Sequence, residues 1–178
     1  MGANPAYEAA ALELGRVIAE QGLSLVYGGA SVGLMGAVAD GALNAGGEVT
    51  GVLPKYLERV ELVHNNLTEL VIVESMHDRK ALMAERSDMF VALPGGLGSL
   101  EELFEIWTWS QLGLHSKPLG VLNVEGYYDA LLTFLDQTVS ERFVKEIHRN
   151  TLLADNNPFQ LISDLQNVKV PQEGKWLD

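Results

Sequence analysis

Twice in this chain a short apolar segment runs into a glycine-rich turn and on into a helix, and that repeated unit constrains the fold more than any other feature. The first is Leu23-Ser24-Leu25-Val26-Tyr27, then Gly28-Gly29-Ala30-Ser31-Val32-Gly33, then a small-residue helix from Leu34 to Ala45 closed by Gly46-Gly47. The second is Asp88-Met89-Phe90-Val91-Ala92-Leu93, broken by Pro94-Gly95-Gly96-Leu97-Gly98 ahead of a helix from about Leu100 to Leu112. The remaining segments continue the alternation. Helical spacing runs from Ala9 to Glu20, from Met76 to Arg86, from Tyr127 to Val139 and from Pro158 to Gln166. Strand-like runs cover Val49 to Leu53, Leu67 to Val73, Pro118 to Val124 and Thr151 to Ala154.

Strands alternating with helices of about 10–15 residues imply a parallel sheet covered on both faces. The expected class is therefore α/β, a Rossmann-like doubly wound and mainly parallel sheet. A length of 178 residues suits one domain, read as residues 1–168 with a polar tail at 169–178. The chain opens with a helix where a doubly wound domain opens with a strand, so the opening strand is expected to be missing. Either the sheet lacks it or this sequence starts beyond it. Ligands of such sheets sit beyond the carboxyl ends of the strands, where both glycine turns fall.

Charge narrows the choice of ligand. Twelve basic against 24 acidic side chains give a net charge of −12, a field that repels nucleic acid and anionic membranes. A small anion is still admissible if backbone amides at a helix start, or a few placed cations, meet its charge locally. There is no cysteine, which removes thiolate nucleophiles and Cys-based metal sites. No apolar run reaches the ~18 residues of a membrane span and no signal peptide is recognisable, so the expected location is cytoplasmic. His64, His115 and His148 lie in separate segments without metal-ligand spacing, so no metal is expected.

The Pro94 to Gly98 turn is the best anion site, because three glycines let amides approach a ligand and the helix start adds partial positive charge. It is neither a Walker loop, since no Lys-Ser/Thr follows, nor a dinucleotide fingerprint, since Glu101 stands where the last glycine belongs. A plainer reading makes Ser99 the N-cap and Glu102 its N3 partner in a capping box. A carboxylate in a first helical turn stays ionised, which suits it to face the positive charge of an oxocarbenium-like transition state.

Arg79, in Glu74-Ser75-Met76-His77-Asp78-Arg79-Lys80, has two readings as well: a fork that clamps phosphate or hydroxyl, or a surface cation answering Asp78, Glu85 and Glu74. Gly28, Gly29, Gly33 and Gly36 serve either ligand contact or close helix–sheet packing. Trp107, Trp109, Phe104 and Leu103 read as core or as a dimer face.

Met-His-x-Arg-Lys, an apolar strand, then Pro-Gly-Gly-x-Gly-Ser-x-x-Glu together resemble the signature of the LONELY GUY family, cytokinin riboside 5'-monophosphate phosphoribohydrolases often labelled lysine decarboxylases. Asn4-Pro5-Ala6-Tyr7, Gly33-Leu34-Met35-Gly36, Gly51-Val52-Leu53-Pro54 and Trp107-Thr108-Trp109-Ser110-Gln111-Leu112-Gly113 follow in family order, over roughly residues 4 to 165. The resemblance implies hydrolysis of the N-glycosidic bond of adenine-type nucleoside 5'-monophosphates such as AMP, by a homodimer without cofactor. It implies Arg79 and Glu102 as the catalytic pair. Lys80, Gly95, Gly96, Gly98, Ser99, Glu101, Thr108 and Glu61 are implied as substrate-binding positions. The alternative is a non-catalytic carrier of a nucleotide or of molybdenum cofactor. The decarboxylase label fails on chemistry, since nothing marks a lysine for a pyridoxal phosphate Schiff base. Ser99 replaces the family's threonine and keeps the hydroxyl, Ala30 replaces a glycine, and the family's opening strand with its Gly-Ser loop is not in the sequence.

Overall fold

The computed structural model describes residues 2–57 and 63–171. The chain folds as two compact units, the first ending at Ser87 and the second beginning at Asp88. In the first, helix α1 (Pro5–Glu20) leads to β1 (Leu25–Tyr27), α2 (Gly33–Asn44), β2 (Val49–Pro54), β3 (Glu69–Val73) and α3 (Met76–Arg86). The second holds β4 (Phe90–Ala92), α4 (Leu97–Gln111), β5 (Leu119–Leu122), α5 (Asp129–Ser140), α6 (Glu146–Arg149), β6 (Leu152–Asp155) and α7 (Pro158–Asn167). The α/β Rossmann-like class is what the sequence indicates.

All ladders between these strands are parallel. They run in the order β1-β2-β3, with Leu25 opposite Val49 and Thr50 opposite Glu69, and β4-β5-β6, with Phe90 opposite Leu119 and Leu119 opposite Leu152. The strands expected in one sheet thus form two sheets of three, in which β1 and β4 are edge strands.

In the first unit α1 begins at Pro5, four residues before the sequence reading placed it. Asn4 caps it, its Oδ1 accepting the Ala6 N–H at 2.9 Å, and Pro5 fills the first helical position, where a missing N–H costs nothing. Helices α1 and α2 meet backbone to backbone. A Cβ at Gly15 would lie 2.1 Å from the Val38 carbonyl oxygen, and one at Gly41 would lie 2.1 Å from that of Leu12. The small residues of α2 are therefore a packing device.

In the second unit Leu103, Trp107, Leu119, Val121, Tyr128, Leu135 and Leu152 form the core, each large apolar side chain contributing roughly 1.5–3 kcal/mol by burial. Trp107 belongs to this core and not to an exposed face: its indole N–H donates to Thr151 Oγ1 at 2.9 Å, so burial leaves the ring's polar atom satisfied.

His115 ties the loop before β5 to α4. Its Nδ1 accepts the Lys117 N–H at 3.1 Å, so Nε2 carries the ring proton and donates to the Ile106 carbonyl at 2.9 Å. Burial pushes its pKa down from the usual value of about 6.5. The unfolded chain then binds the proton first as pH falls, so this contribution to stability is complete above pH ~6.5 and is lost on acidification below it. A His115→Gln variant should show a flatter dependence of Tm on pH than the parent between about pH 5 and 6.5. Parallel Tm–pH curves would show that His115 is not the group titrating. Among the described residues no helix is long and apolar enough to cross a membrane.

Candidate functional site

Arg79 stands on the first turn of α3, whose start is fixed by a capping box. Ser75 Oγ accepts the Asp78 N–H at 3.1 Å and Asp78 Oδ2 accepts the Ser75 N–H at 3.0 Å. With Asp78 engaged there, its carboxylate does not neutralise Arg79. The Arg79 side chain turns inward until the residue is only 6% exposed. Nη1 approaches Met76 Sδ at 3.8 Å, and Nε has no hydrogen-bond partner.

The guanidinium lies against the carboxyl end of β1. A Cβ at Gly28 would come 1.9 Å from Arg79 Nη2, 3.0 Å from Cζ and 3.5 Å from Met35 Sδ. The surface-cation reading of Arg79 is therefore corrected. Among the described residues no carboxylate pairs with it, and a buried cation without a counter-charge costs several kcal/mol of desolvation. In the same unit the buried Tyr27 hydroxyl also lacks a partner among the described residues, and burial, reinforced by the Asp40 charge, pushes its pKa up. Lys80 follows on the same helix, half-buried and with interactions of its own.

The glycine turns divide by purpose. Gly36 is a packing glycine, since a Cβ there would sit 2.1 Å from the Ser31 carbonyl oxygen, whereas Gly33 supplies a positive φ of 65°. His64 is tied to the first glycine turn by its backbone N–H, which donates to the Gly29 carbonyl at 3.0 Å. Its Nδ1 accepts the Asn66 N–H at 3.2 Å, which leaves Nε2 to donate to Asp40 at 3.1 Å. That is a structural role.

The second unit presents the other half of the expected residues. Gly95 carries Ser99 over it, a Cβ at Gly95 falling 2.2 Å from Ser99 Oγ and 2.7 Å from Ser99 Cβ. At Gly96 and Gly98 a Cβ would meet nothing within 4 Å, so internal packing does not explain these two glycines. Leu97 between them is 87% exposed. Gly96, not Ser99, is the N-cap of α4, and no side chain caps the helix. The capping box expected of Ser99 and Glu102 is therefore not formed. The flexible glycines let the helix start at Leu97, which places Ser99 at N3 and Glu102 in the second turn. Glu102 is half-buried, Glu101 is exposed, and the Thr108 hydroxyl is taken up by the Phe104 carbonyl at 2.6 Å.

The sequence reading missed what holds this turn. Tyr127 donates its hydroxyl to the Gly95 carbonyl and Tyr128 donates to the Leu93 carbonyl, both at 2.6 Å. The structure thus groups Arg79 and Lys80 with Gly28 in one unit, and Gly95, Gly96, Gly98, Ser99, Glu101, Glu102 and Thr108 along one loop and helix in the other. Glu61 lies outside the described residues. Among those residues no group of three or more His, Asp or Glu is arranged to hold a metal.

A family model described as "Possible lysine decarboxylase" matches residues 35–165. Over 168 residues, 94% of this chain and 77% of the relative, the sequence is 47% identical to "Cytokinin riboside 5'-monophosphate phosphoribohydrolase LOG7" of Arabidopsis thaliana. It is 46% identical over 175 residues to "Probable cytokinin riboside 5'-monophosphate phosphoribohydrolase LOGL2" of Oryza sativa subsp. japonica, covering 96% of this chain and 72% of that one. Among solved structures, the molybdenum cofactor binding protein of Rippkaea orientalis superposes with a TM-score of 0.70 at 24% identity, covering 92% of this chain and 88% of that one. At that identity the likeness speaks for the fold alone.

Proposed function

We propose that this chain, which belongs to the LONELY GUY family of cytokinin riboside 5'-monophosphate phosphoribohydrolases, hydrolyses the N-glycosidic bond of adenine-type nucleoside 5'-monophosphates. The products are free base and ribose 5-phosphate. The observation that carries this reading is the buried Arg79 guanidinium, held without a carboxylate partner among the described residues and with an unsatisfied Nε. A desolvated cation that the fold leaves uncompensated is suited to an anionic ligand. The exposed turn at Gly96 and Gly98, at the start of a 15-residue helix, supports the same ligand class.

The roles of the residues in this reading are those that the family signature assigns to each position. Amides of the Gly95 to Gly98 turn and the Ser99 hydroxyl receive the 5'-phosphate. Arg79 and Lys80 orient the nucleotide and balance charge on the leaving base. Glu101 and Thr108, with Glu61, are further contacts. As the C1'–N9 bond breaks, its electron pair leaves with the base and positive charge spreads over C1' and the ring oxygen. Glu102, ionised, faces that charge and positions the water whose oxygen bonds to C1'. One proton of the water goes to the base, and the other remains on the new hydroxyl.

Homodimerisation is part of the reading. Because Trp107 is used by its own core, Leu112 and Leu114, 45% and 69% exposed, are the apolar groups that the end of α4 offers a partner. The carrier alternative has less support, since its structural relatives share 24% identity or less.

The test is incubation of the full chain with AMP and N6-isopentenyl-AMP, following free base by chromatography. Stoichiometric release of base and ribose 5-phosphate is expected. Saturable nucleotide binding without release would replace the hydrolase with the carrier.

A further inference from the structure

The turn that receives phosphate in the proposed reaction is held by a side chain from a different element. We propose that Tyr127 is a positioning residue for this site: its hydroxyl fixes the plane of the Gly95–Gly96 peptide and so aims the Gly96 N–H at the 5'-phosphate. The ligand's identity rests on the hydrolase reading above; the bracing itself rests on the geometry.

Four observations lead here. First, Tyr127 donates to the Gly95 carbonyl oxygen at 2.6 Å. A trans peptide is planar, with its C=O and N–H pointing in opposite directions, so a hydrogen bond that fixes the Gly95 carbonyl also fixes the bearing of the Gly96 N–H. Second, a Cβ at Gly96 or Gly98 would meet nothing within 4 Å, and Gly96 as N-cap has no side chain to cap the helix, so neither packing nor a cap holds these two glycines.

Third, Tyr127 is itself held rigidly. Its ring stands edge-on to Tyr128, with centroids 5.0 Å apart at 88°, and Tyr128, 1% exposed, is locked by its own bond to the Leu93 carbonyl. Fourth, the backbone ahead of it is strained. Glu125 takes a left-handed φ of 52° and Gly126 one of 71°, and the turn is closed by Asn123, which donates to Asp129 and accepts the Tyr128 N–H, each at 2.7 Å. A non-glycine left-handed residue persists only where its surroundings over-determine it. Tyr127 and Tyr128 follow directly, and their hydroxyls bond the carbonyls of Gly95 and Leu93.

The experiment compares the full chain with its Tyr127→Phe variant, which keeps the ring and removes the donor from a side chain that is 42% exposed. Ribose 5-phosphate and inorganic phosphate are the probes, read by calorimetry and by inhibition of base release. Backbone amide exchange is followed across residues 94–98. The variant is expected to bind both probes about fivefold to tenfold more weakly, to raise KM for AMP by the same factor with kcat within about twofold, and to exchange faster in the turn. Its Tm should stay within about 2 °C.

Unchanged probe affinity and exchange would overturn the proposal. So would a fall in kcat at constant KM, which places Tyr127 in the chemistry, or a Tm drop of several degrees, which makes it structural. If the parent chain binds the probes but releases no base, the hydrolase reading fails, and the Tyr127 proposal still stands or falls on affinity and exchange. A parent chain that binds neither probe ends both.

Discussion

Glu102→Gln should lower kcat for base release from AMP by about 10²–10³-fold, with KM changed by less than about threefold. The substitution keeps the shape of the side chain and removes its charge, so the measurement isolates electrostatics. The substrate carries no positive charge at C1' before the bond breaks. A carboxylate facing that carbon therefore has little to stabilise in the ground state and a full oxocarbenium to stabilise in the transition state. An interaction made only in the transition state appears in kcat and not in KM.

The position of Glu102 in the second turn of α4 sharpens this prediction. It is too far along the helix to be held by a cap at Ser99, and too far from the terminal amides to be mainly a partner of the helix dipole. Thermal melting, read beside the kinetics, separates a loss of rate from a loss of fold. A Gln variant that stays folded and keeps the parent rate would remove Glu102 from the chemistry and leave the turn as a binding feature only.

How far the sequence carries this molecule depends on the range of each interaction. The strand-turn-helix units were legible because hydrophobic spacing and glycine are local signals; α3 runs from Met76 to Arg86 as its spacing indicates. The family signature likewise lies in contiguous segments. Where the reading slipped, two local rules competed. Ser-x-x-acid occurs at both Ser75/Asp78 and Ser99/Glu102, yet only the first forms a box. Ahead of Ser75 the chain is extended, while ahead of Ser99 the glycines are free to enter the helix. The four-residue α6 has no periodicity to detect.

The burial of Arg79 and the bracing by Tyr127 were not legible, because each depends on a partner remote in sequence. Gly28 is 51 residues before Arg79, and Gly95 is 32 before Tyr127. No spacing rule reports such pairs. The remaining signal was chemical: an Arg directly after an Asp that is already committed to a cap, and a Tyr-Tyr pair following a glycine.

Gly28→Ala should lower kcat/KM for AMP by about 10²-fold or more, through a residue that contributes no functional group. Gly28 is not in a left-handed conformation, so alanine is acceptable to the backbone and the effect is steric. The added methyl would begin 1.9 Å from Arg79 Nη2 and 3.0 Å from Cζ, where ordinary contact requires about 3.5 Å or more. The guanidinium must therefore withdraw by more than an ångström. Misplacing a substrate-orienting group by that much costs on the order of 10²-fold in rate.

Stability should respond differently from rate. Among the described residues Arg79 is buried without a carboxylate partner, so pushing it toward solvent relieves a desolvation cost even as it crowds Met35. Tm should therefore change little, whereas a glycine serving only as packing would, when filled, lose stability and activity together. Gly36→Ala is the control for that case, since its Cβ would meet the Ser31 carbonyl at 2.1 Å and no side-chain motion can relieve a clash with backbone. Measured side by side, Gly28→Ala should be folded and nearly inactive, and Gly36→Ala should be destabilised. A Gly28→Ala variant with the parent's kcat/KM would mean that the guanidinium's place against β1 is unrelated to catalysis.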